Sequence, residues 1–319
     1  MQLQKLTDDP CNLCSRECGA RRQQGETGYC VSQSRPVVAR AALHMWEEPC
    51  ISGEAGSGAV FFAGCSLRCI YCQNFELARG RKGFEVGTEQ LADIFLALQG
   101  KGAANINLVT PDHFTLAVIS AVRMARERGL VLPVIYNCSG YEKEELIESL
   151  RGTVDIFLVD FKYMEEELAR KFSFAPDYPE IAKKALARML SLTGEPVFDE
   201  KGMLQKGVIV RHLLLPGHKR NAREVIEYIH QNYGDRVILS LMNQYTPFER
   251  LKEREDCREL CRRVTKREYE AVIAYTLSLG MENVFIQEGE TAKESFIPEF
   301  DGEGILERYS LTEPGNFTS

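Results

Sequence analysis

The sequence predicts an α/β fold: a partial (β/α)6-type TIM barrel carrying an irregular, cysteine-rich N-terminal cap. From about Ser57 onward, short apolar runs alternate with amphipathic stretches. Such repeated strand–helix units imply a parallel sheet joined by right-handed crossovers. Residues up to about Glu48 carry many Cys, Arg and Gly and show little periodicity. At 319 residues the chain can bury one substantial core with a small appendage. The expected division is a metal-binding cap over 1–50, the barrel over 51–290 and a polar, loop-like tail over 291–319.

The strand candidates are Ala59–Ala63, Ile106–Val109, Pro133–Tyr136, Val154–Val159, Val208–Leu214, Val237–Leu241 and Val284–Ile286. Helix candidates lie between them at Thr88–Gln99, Phe114–Arg128, Glu142–Leu150, Pro179–Leu192, Ala222–Asn232 and Lys266–Leu279. In the first of these, Leu91, Ile94, Phe95 and Leu98 keep the helical period behind a Thr88 N-cap. "VFDEKGML", Val197–Leu204, reads as a small hairpin turning at Lys201-Gly202.

Composition excludes several classes of function. The chain is 44% hydrophobic and 27% charged, with no apolar run long enough to span a bilayer. Its first residues, MQLQKLTDDP, show no apolar stretch after a basic start, so no signal peptide and a cytoplasmic location are expected. A net charge of −7 without a basic stripe argues against nucleic acid as a partner. The unusual count is eleven cysteines, eight of them within the first 72 residues. A chain with its own core and no export signal does not need a disulfide scaffold, so metal ligands or catalytic thiols are the better reading.

Cys65, Cys69 and Cys72, spaced C-x3-C-x2-C, begin where the first strand candidate ends. Barrel chemistry gathers at the C-terminal ends of strands, so this loop belongs at the barrel mouth. Three soft thiolates suit a cubane iron–sulfur cluster with one iron left open, or zinc with a fourth ligand from the N-terminal cysteines.

This motif, with Tyr71 before its last cysteine, strongly resembles the radical S-adenosylmethionine superfamily. Within it the chain resembles the pyruvate formate-lyase activating enzymes, and most of all their homologue family of unassigned substrate. "HMWEEPCISG" (44–53), "CSLRCIYCQN" (65–74), "TPDHF" (110–114), "MNQYTP" (242–247) and "IQEGE" (286–290) carry that likeness over almost the whole chain. The resemblance implies that Cys65, Cys69 and Cys72 bind a [4Fe-4S] cluster whose fourth iron chelates S-adenosylmethionine. One electron from a flavodoxin- or ferredoxin-type reductant would then release methionine and a 5'-deoxyadenosyl radical. The hydrogen donor would be a glycyl-radical partner protein, with a small molecule or another protein side chain as the alternative. A non-catalytic electron carrier is the competing class, and simple carriers need no cosubstrate pocket.

The resemblance also places cosubstrate contacts. Tyr71 would pack near the adenine. Asp160 and Lys162, in "FLVDFK", would line the pocket, and their plain alternative is a surface ion pair. Arg211, in "VIVRHLLLPGH", would grip the cosubstrate carboxylate, since a cation inside an apolar strand must find a buried anion. Asn137, in "NCSGY", stands at a third-strand turn. Where the superfamily carries a Gly-Gly-Glu-like stretch, this chain reads "NLVTPDHF", leaving Thr110 and Asp112 as substitutes.

Cys11, Cys14, Cys18 and Cys30, spaced C-x2-C-x3-C-x11-C, supply four ligands for a structural zinc or an auxiliary iron–sulfur cluster. Arg16, Arg21 and Arg22 would offset the charge of such a centre. The segment's expected separation from the mouth loop favours zinc. His44, near Glu47 and Glu48, is an acid–base candidate, a further ligand or a surface histidine. Cys138 could face the mouth or simply pack. Cys257 and Cys261 would share one face of a solvated helix as structural residues.

Overall fold

All seven apolar runs are strands of a single sheet. The computed structural model describes residues 5–287 and 299–305. In chain order the strands are β1 (Val37–His44), β2 (Ser57–Phe62), β3 (Phe84–Glu85), β4 (Ile106–Val109), β5 (Val134–Cys138), β6 (Ile156–Asp160), β7 (Val197–Phe198), β8 (Leu204–Leu213), β9 (Ile238–Met242) and β10 (Val284–Ile286). The helices are α1 (Pro49–Ser52), α2 (Phe75–Ala78), α3 (Thr88–Gly100), α4 (Thr115–Glu127), α5 (Glu144–Ser149), α6 (Glu166–Ser173), α7 (Tyr178–Thr193), α8 (Lys219–Asn232) and α9 (Lys266–Ser278). The sheet order is β10-β9-β8-β6-β5-β4-β2-β1-β3, with β7 branching from β8. From β2 to β10 the neighbours along this path are parallel. Among the described residues its two ends do not pair, so the barrel is partial and open.

Side-chain alternation sorts each strand into two faces. Tyr136, Phe157, Val159, Val208 and Val210 pack outward with residues of α4, α7 and α8. On the inner face, Ile135, Leu158, Ile209 and Ile238 form a separate cluster with Cys50 and Ile51 of α1. This short helix therefore fills the floor of the concave side, starting at Pro49 and tied by Asn105, whose Nδ2 donates to the Ile51 carbonyl at 2.8 Å. Two residues further along β5, β6 and β8, the inner positions become Asn137, Asp160 and Arg211. A polar layer thus stands directly above an apolar one, at the carboxyl ends of the strands.

Two sequence expectations change. Residues before Glu48 are not irregular throughout, because Val37–His44 is a strand antiparallel to β2, pairing Ala41 with Val60 and Leu43 with Gly58. Its core-facing residues are largely alanines (Ala39, Ala41 and Ala42), a weak strand signal that burial on both sides overrides. The stretch around Cys257 and Cys261 is not one helix either. It is a pair of 3-10 turns over Glu255–Cys261, broken where Cys257 takes φ −139° and ψ 39°.

The hairpin at Val197 forms as expected. Asp199 Oδ1 accepts from the Lys201 and Met203 amides at 2.9 and 3.0 Å, and Gly202 supplies φ +74°. Residues 299–305 run beside β1, where the Ala41 amide donates to the Glu303 carbonyl at 2.9 Å. Most of the expected tail, and the end of the 286–290 motif, lie outside the described residues. Among the described residues no helix is long and apolar enough to cross a membrane.

Candidate active site

The loop after β2 is held by the cap. Gly64 has φ +89°, and a Cβ there would meet Ser32 Oγ at 2.3 Å and the Cys30 carbonyl oxygen at 2.5 Å, so only glycine fits. Beyond it Cys65, Cys69 and Cys72 open onto one cleft, together with Tyr71, Thr110, Asn137, Asp160, Lys162 and Arg211. Apart from Asp112, every site residue expected on the barrel side is therefore in one place. The thiols crowd one another. Burial, then Cys69, pushes Cys65 up, and the same two causes push Cys72 up to about 11 despite Lys162 and Arg250 nearby.

Opposite the loop lies a compact charge set. Arg211 Nε donates to Asp160 Oδ1 at 2.9 Å, Nη1 to Glu47 Oε2 at 3.3 Å and Nη2 to Asn137 Oδ1 at 2.6 Å. Lys162 Nζ holds the other Asp160 oxygen at 2.6 Å, and Asn107 Nδ2 holds Glu47 Oε1 at 2.9 Å. The anion that Arg211 requires is thus supplied by the protein, from β6 and from the corner between β1 and α1. Burial pulls the Asp160 carboxyl up, but Lys162 and Arg211 outweigh it and hold the group below the ordinary carboxylate value. Glu47 goes the other way, raised by burial against Arg211 and Asn107.

With the carboxylate oxygens engaged, hydrogen-bond donors remain. Arg211 uses three of its five N–H groups and Lys162 one of three. Spare donors suit a ligand carrying a carboxylate and hydroxyls. Thr110 lines the same cleft in the left-handed region at φ +59°, uncommon for a β-branched residue, with its amide donating to the Asn137 carbonyl at 2.8 Å. Asp112 does not reach the cleft. It is buried beneath it, accepting from Ser66 Oγ at 3.3 Å and facing the carboxyl of Glu142.

The family profile described as Radical SAM superfamily matches residues 59–229. The chain belongs to the radical SAM superfamily. Among curated proteins it is 26% identical over 284 residues to the uncharacterized protein MJ0674 of Methanocaldococcus jannaschii, covering 86% of this chain and 76% of that one. Among solved structures it is similar to Streptococcus suis SuiB bound to S-adenosylmethionine, at 12% identity and TM-score 0.46 over 75% of this chain and 52% of the other. It is also similar to methylornithine synthase (PylB), at 14% identity and TM-score 0.46 over 87% and 84%. The chain spans about half the length of the SuiB chain.

Membership in the radical SAM superfamily implies an enzyme with a [4Fe-4S] cluster and S-adenosylmethionine, and the donor set fits that cluster. Among the described residues, no three His, Cys, Asp or Glu side chains gather as they would about a single ion. A cubane instead takes one thiolate at each of three separate corners. Metal ligation would replace the protons that burial otherwise keeps on the Cys65 and Cys72 thiols.

Behind the loop runs a chain of hydroxyls that sequence reasoning missed. The Tyr71 and Tyr163 hydroxyls are 2.7 Å apart, Tyr163 and Ser173 are 2.7 Å apart, and Ser173 Oγ donates to Cys69 Sγ at 2.9 Å. A hydrogen bond to a ligating sulfur stabilises the extra negative charge of the reduced state. Ser173→Ala should therefore lower the cluster's midpoint potential by about 40 mV, the equivalent of a hydrogen bond of about 1 kcal/mol. An EPR-monitored redox titration reads this, and an unchanged potential would remove Ser173 from the cluster's surroundings.

His44, the acid–base candidate, lines the cleft together with Glu47 and with Trp46, which the sequence marked only within the 44–53 landmark. Burial, then Arg40 and Arg211, lowers the His44 pKa, so its ring is a neutral imidazole at physiological pH. Cys138 lines the cleft as well, whereas Cys257 is buried elsewhere and Cys261 Sγ sits 3.5 Å from the Leu251 carbonyl.

The N-terminal cysteines gather in the cap. Cys11, Cys14 and Cys30 are buried and Cys18 is exposed. Burial pushes the Cys14 thiol up to about 12. Of the three arginines expected to compensate them, Arg22 reaches a sulfur, 3.7 Å from Cys11. Arg16 instead ties the cap to the barrel, with Nε donating to the Ser66 carbonyl at 2.9 Å. The expected separation from the mouth loop is not found, because the Cys65 amide donates to the Cys30 carbonyl at 3.3 Å.

Proposed function

We propose that this radical SAM enzyme acts as a pyruvate formate-lyase activating enzyme-like protein, abstracting hydrogen from a glycine of a partner polypeptide. The cluster at Cys65, Cys69 and Cys72 would supply one electron, from a flavodoxin- or ferredoxin-type donor, for cleaving S-adenosylmethionine to methionine and a 5'-deoxyadenosyl radical. The chain's own residues bind and orient. Arg211 and Lys162 offer spare N–H groups to the cosubstrate carboxylate and ribose, and Asp160 and Glu47 fix those cations in place. Tyr71, packed edge-on against Phe172 and Tyr245, gives the cleft an aromatic wall near the loop. Asn137 sets the Arg211 fork.

The observation that favours a polypeptide substrate is the rim of the cleft. Beside His44 and Glu47 the cleft is lined by Trp46, which is 65% exposed. An exposed indole at the mouth of the cleft suits a docking protein segment.

The test begins with anaerobic reconstitution and reduction, which should give a brown protein that forms 5'-deoxyadenosine. Adding a glycyl-radical enzyme labelled with α-deuterated glycine should then move deuterium into the deoxyadenosine and produce a glycyl EPR doublet. Deoxyadenosine without deuterium across the candidate partners would sink the protein-substrate reading. A colourless protein holding only zinc would sink the radical one.

A further inference from the structure

We infer that Cys11, Cys14, Cys18 and Cys30 hold a second, redox-active iron–sulfur cluster, in contact with the mouth loop, through which the electron enters.

The four cysteines share one short, tightly turned segment, in which the Cys11 amide donates to the Ala20 carbonyl at 2.9 Å and the Gly19 amide to the Cys11 carbonyl at 3.0 Å. A Cβ built on Gly28 would lie 3.2 Å from Cys18 Sγ and 3.4 Å from Cys30 Sγ, so these two sulfurs crowd the same side of that backbone. Cys11, Cys14 and Cys30 are all buried. Arg22 gives the chemical reason to place a charged centre there. The residue is 1% exposed, and its guanidinium donates to the carbonyls of Ser32 (3.3 Å), His113 (2.7 Å) and Gln33, and to Cys11 Sγ (3.7 Å). Among the described residues it makes no ion pair. Arginine does not shed its proton in a protein, and a buried cation without a counter-charge is strongly disfavoured. Thiolates at the cap would be its counter-charge, and buried thiolates are held by a soft metal centre.

Position separates iron–sulfur from zinc. A zinc staple would need only to fold the cap. Here the innermost cysteine, Cys30, receives the Cys65 amide through its carbonyl at 3.3 Å, and Arg68 Nη1 bonds the Tyr29 carbonyl at 3.1 Å. The outermost, Cys18, faces solvent. The centre therefore spans the path from the surface to the loop whose cluster must be reduced. One electron from a reduced flavodoxin- or ferredoxin-class protein reduces the cap cluster, which is reoxidised on passing it to the barrel cluster. No atom is transferred.

The electron path rests on the radical SAM reading of the barrel loop, whereas the cap cluster itself does not, and the variants distinguish them. Full-length wild type, Cys65→Ala/Cys69→Ala/Cys72→Ala and Cys11→Ala/Cys14→Ala are reconstituted anaerobically and assayed for iron, sulfide and zinc, with EPR after reduction. The barrel triple variant should keep iron and a reducible signal of its own. The cap variant should lose that signal and keep one that shifts when S-adenosylmethionine is added. Cys18→Ser, at the exposed ligand, should give the same loss with the least disturbance of cap packing. On freeze-quenching with flavodoxin hydroquinone, reduction of the barrel cluster should be lost in the cap variants, while dithionite still reduces it. Zinc, or no metal, in the barrel triple variant overturns the second cluster. Equal reduction by flavodoxin in wild type and cap variants overturns the path. Equal iron in wild type and barrel triple variant would instead mean that the barrel loop holds none.

Discussion

Replacement of any one of Cys65, Cys69 or Cys72 by alanine is expected to abolish 5'-deoxyadenosine formation. A closed metal site can survive with a substitute ligand, but a cubane with one iron reserved for the cosubstrate has none to spare. The surroundings offer no replacement sulfur on the loop, and Ser173 and the Leu67 amide are positioned to serve Cys69 and Cys65 as they stand, at 2.9 and 3.4 Å. Cys257→Ala, buried outside the cleft, is the control and should turn over normally. The measurement is deoxyadenosine per chain after anaerobic reduction, with iron counted in parallel. Turnover retained by one of the three loop variants would place the cluster on other ligands.

What was legible in the sequence follows from how local each signal is. The parallel strands announced themselves because strands buried on both faces read as unbroken apolar runs. Val37–His44 did not, since alanines packed between β2 and residues 299–305 carry little strand preference of their own. At the site, the cysteine spacing and the strand-end Asp160, Lys162 and Arg211 were visible because each sits at a fixed offset from a strand. Glu47 was noticed only beside His44, and its ion pair with Arg211 joins residues 164 positions apart. Ser173 and Tyr163 reach Cys69 and Tyr71 from 104 and 92 positions away, with no motif to mark them. The cap's contact with the mouth loop was hidden for the same reason, being made by the backbone of Cys30 and Tyr29 rather than by a patterned side chain.

Arg211→Ala is expected to cost both cosubstrate affinity and fold stability. The sequence alone suggested that Arg211 and Asp160 serve the cosubstrate rather than the fold, but the guanidinium is the counter-ion of two carboxylates. Its side chain is 14% exposed, and those of Glu47 and Asp160 are 11% and 21% exposed. Breaking such a pair from one side leaves uncompensated buried charge, a loss of about 3–5 kcal/mol. Removal of its spare N–H groups should weaken S-adenosylmethionine binding by more than about tenfold, from a contact of about 2–5 kcal/mol. Arg211→Lys should restore only part of either, since an ammonium cannot span Asp160, Glu47 and Asn137 at once. The two effects separate by a second substitution. Arg211→Ala/Glu47→Gln removes one orphaned charge and should regain stability without regaining affinity. They separate by pH as well. In the native protein Asp160 is held below its unfolded value, so its contribution is present above that value and lost as pH falls through the folded one. In Arg211→Ala, Asp160 keeps Lys162, but Glu47 loses its cation and burial would raise its carboxyl further, so the folded state would take up a proton there more readily than the unfolded chain. The stability deficit should therefore be larger at pH 7 than at pH 5, whereas the binding defect should persist at both. Urea unfolding at the two pH values, with a cosubstrate titration of the reconstituted variant, decides between them. Wild-type stability in Arg211→Ala would mean that Glu47 finds another cation, and wild-type affinity would mean that the cosubstrate does.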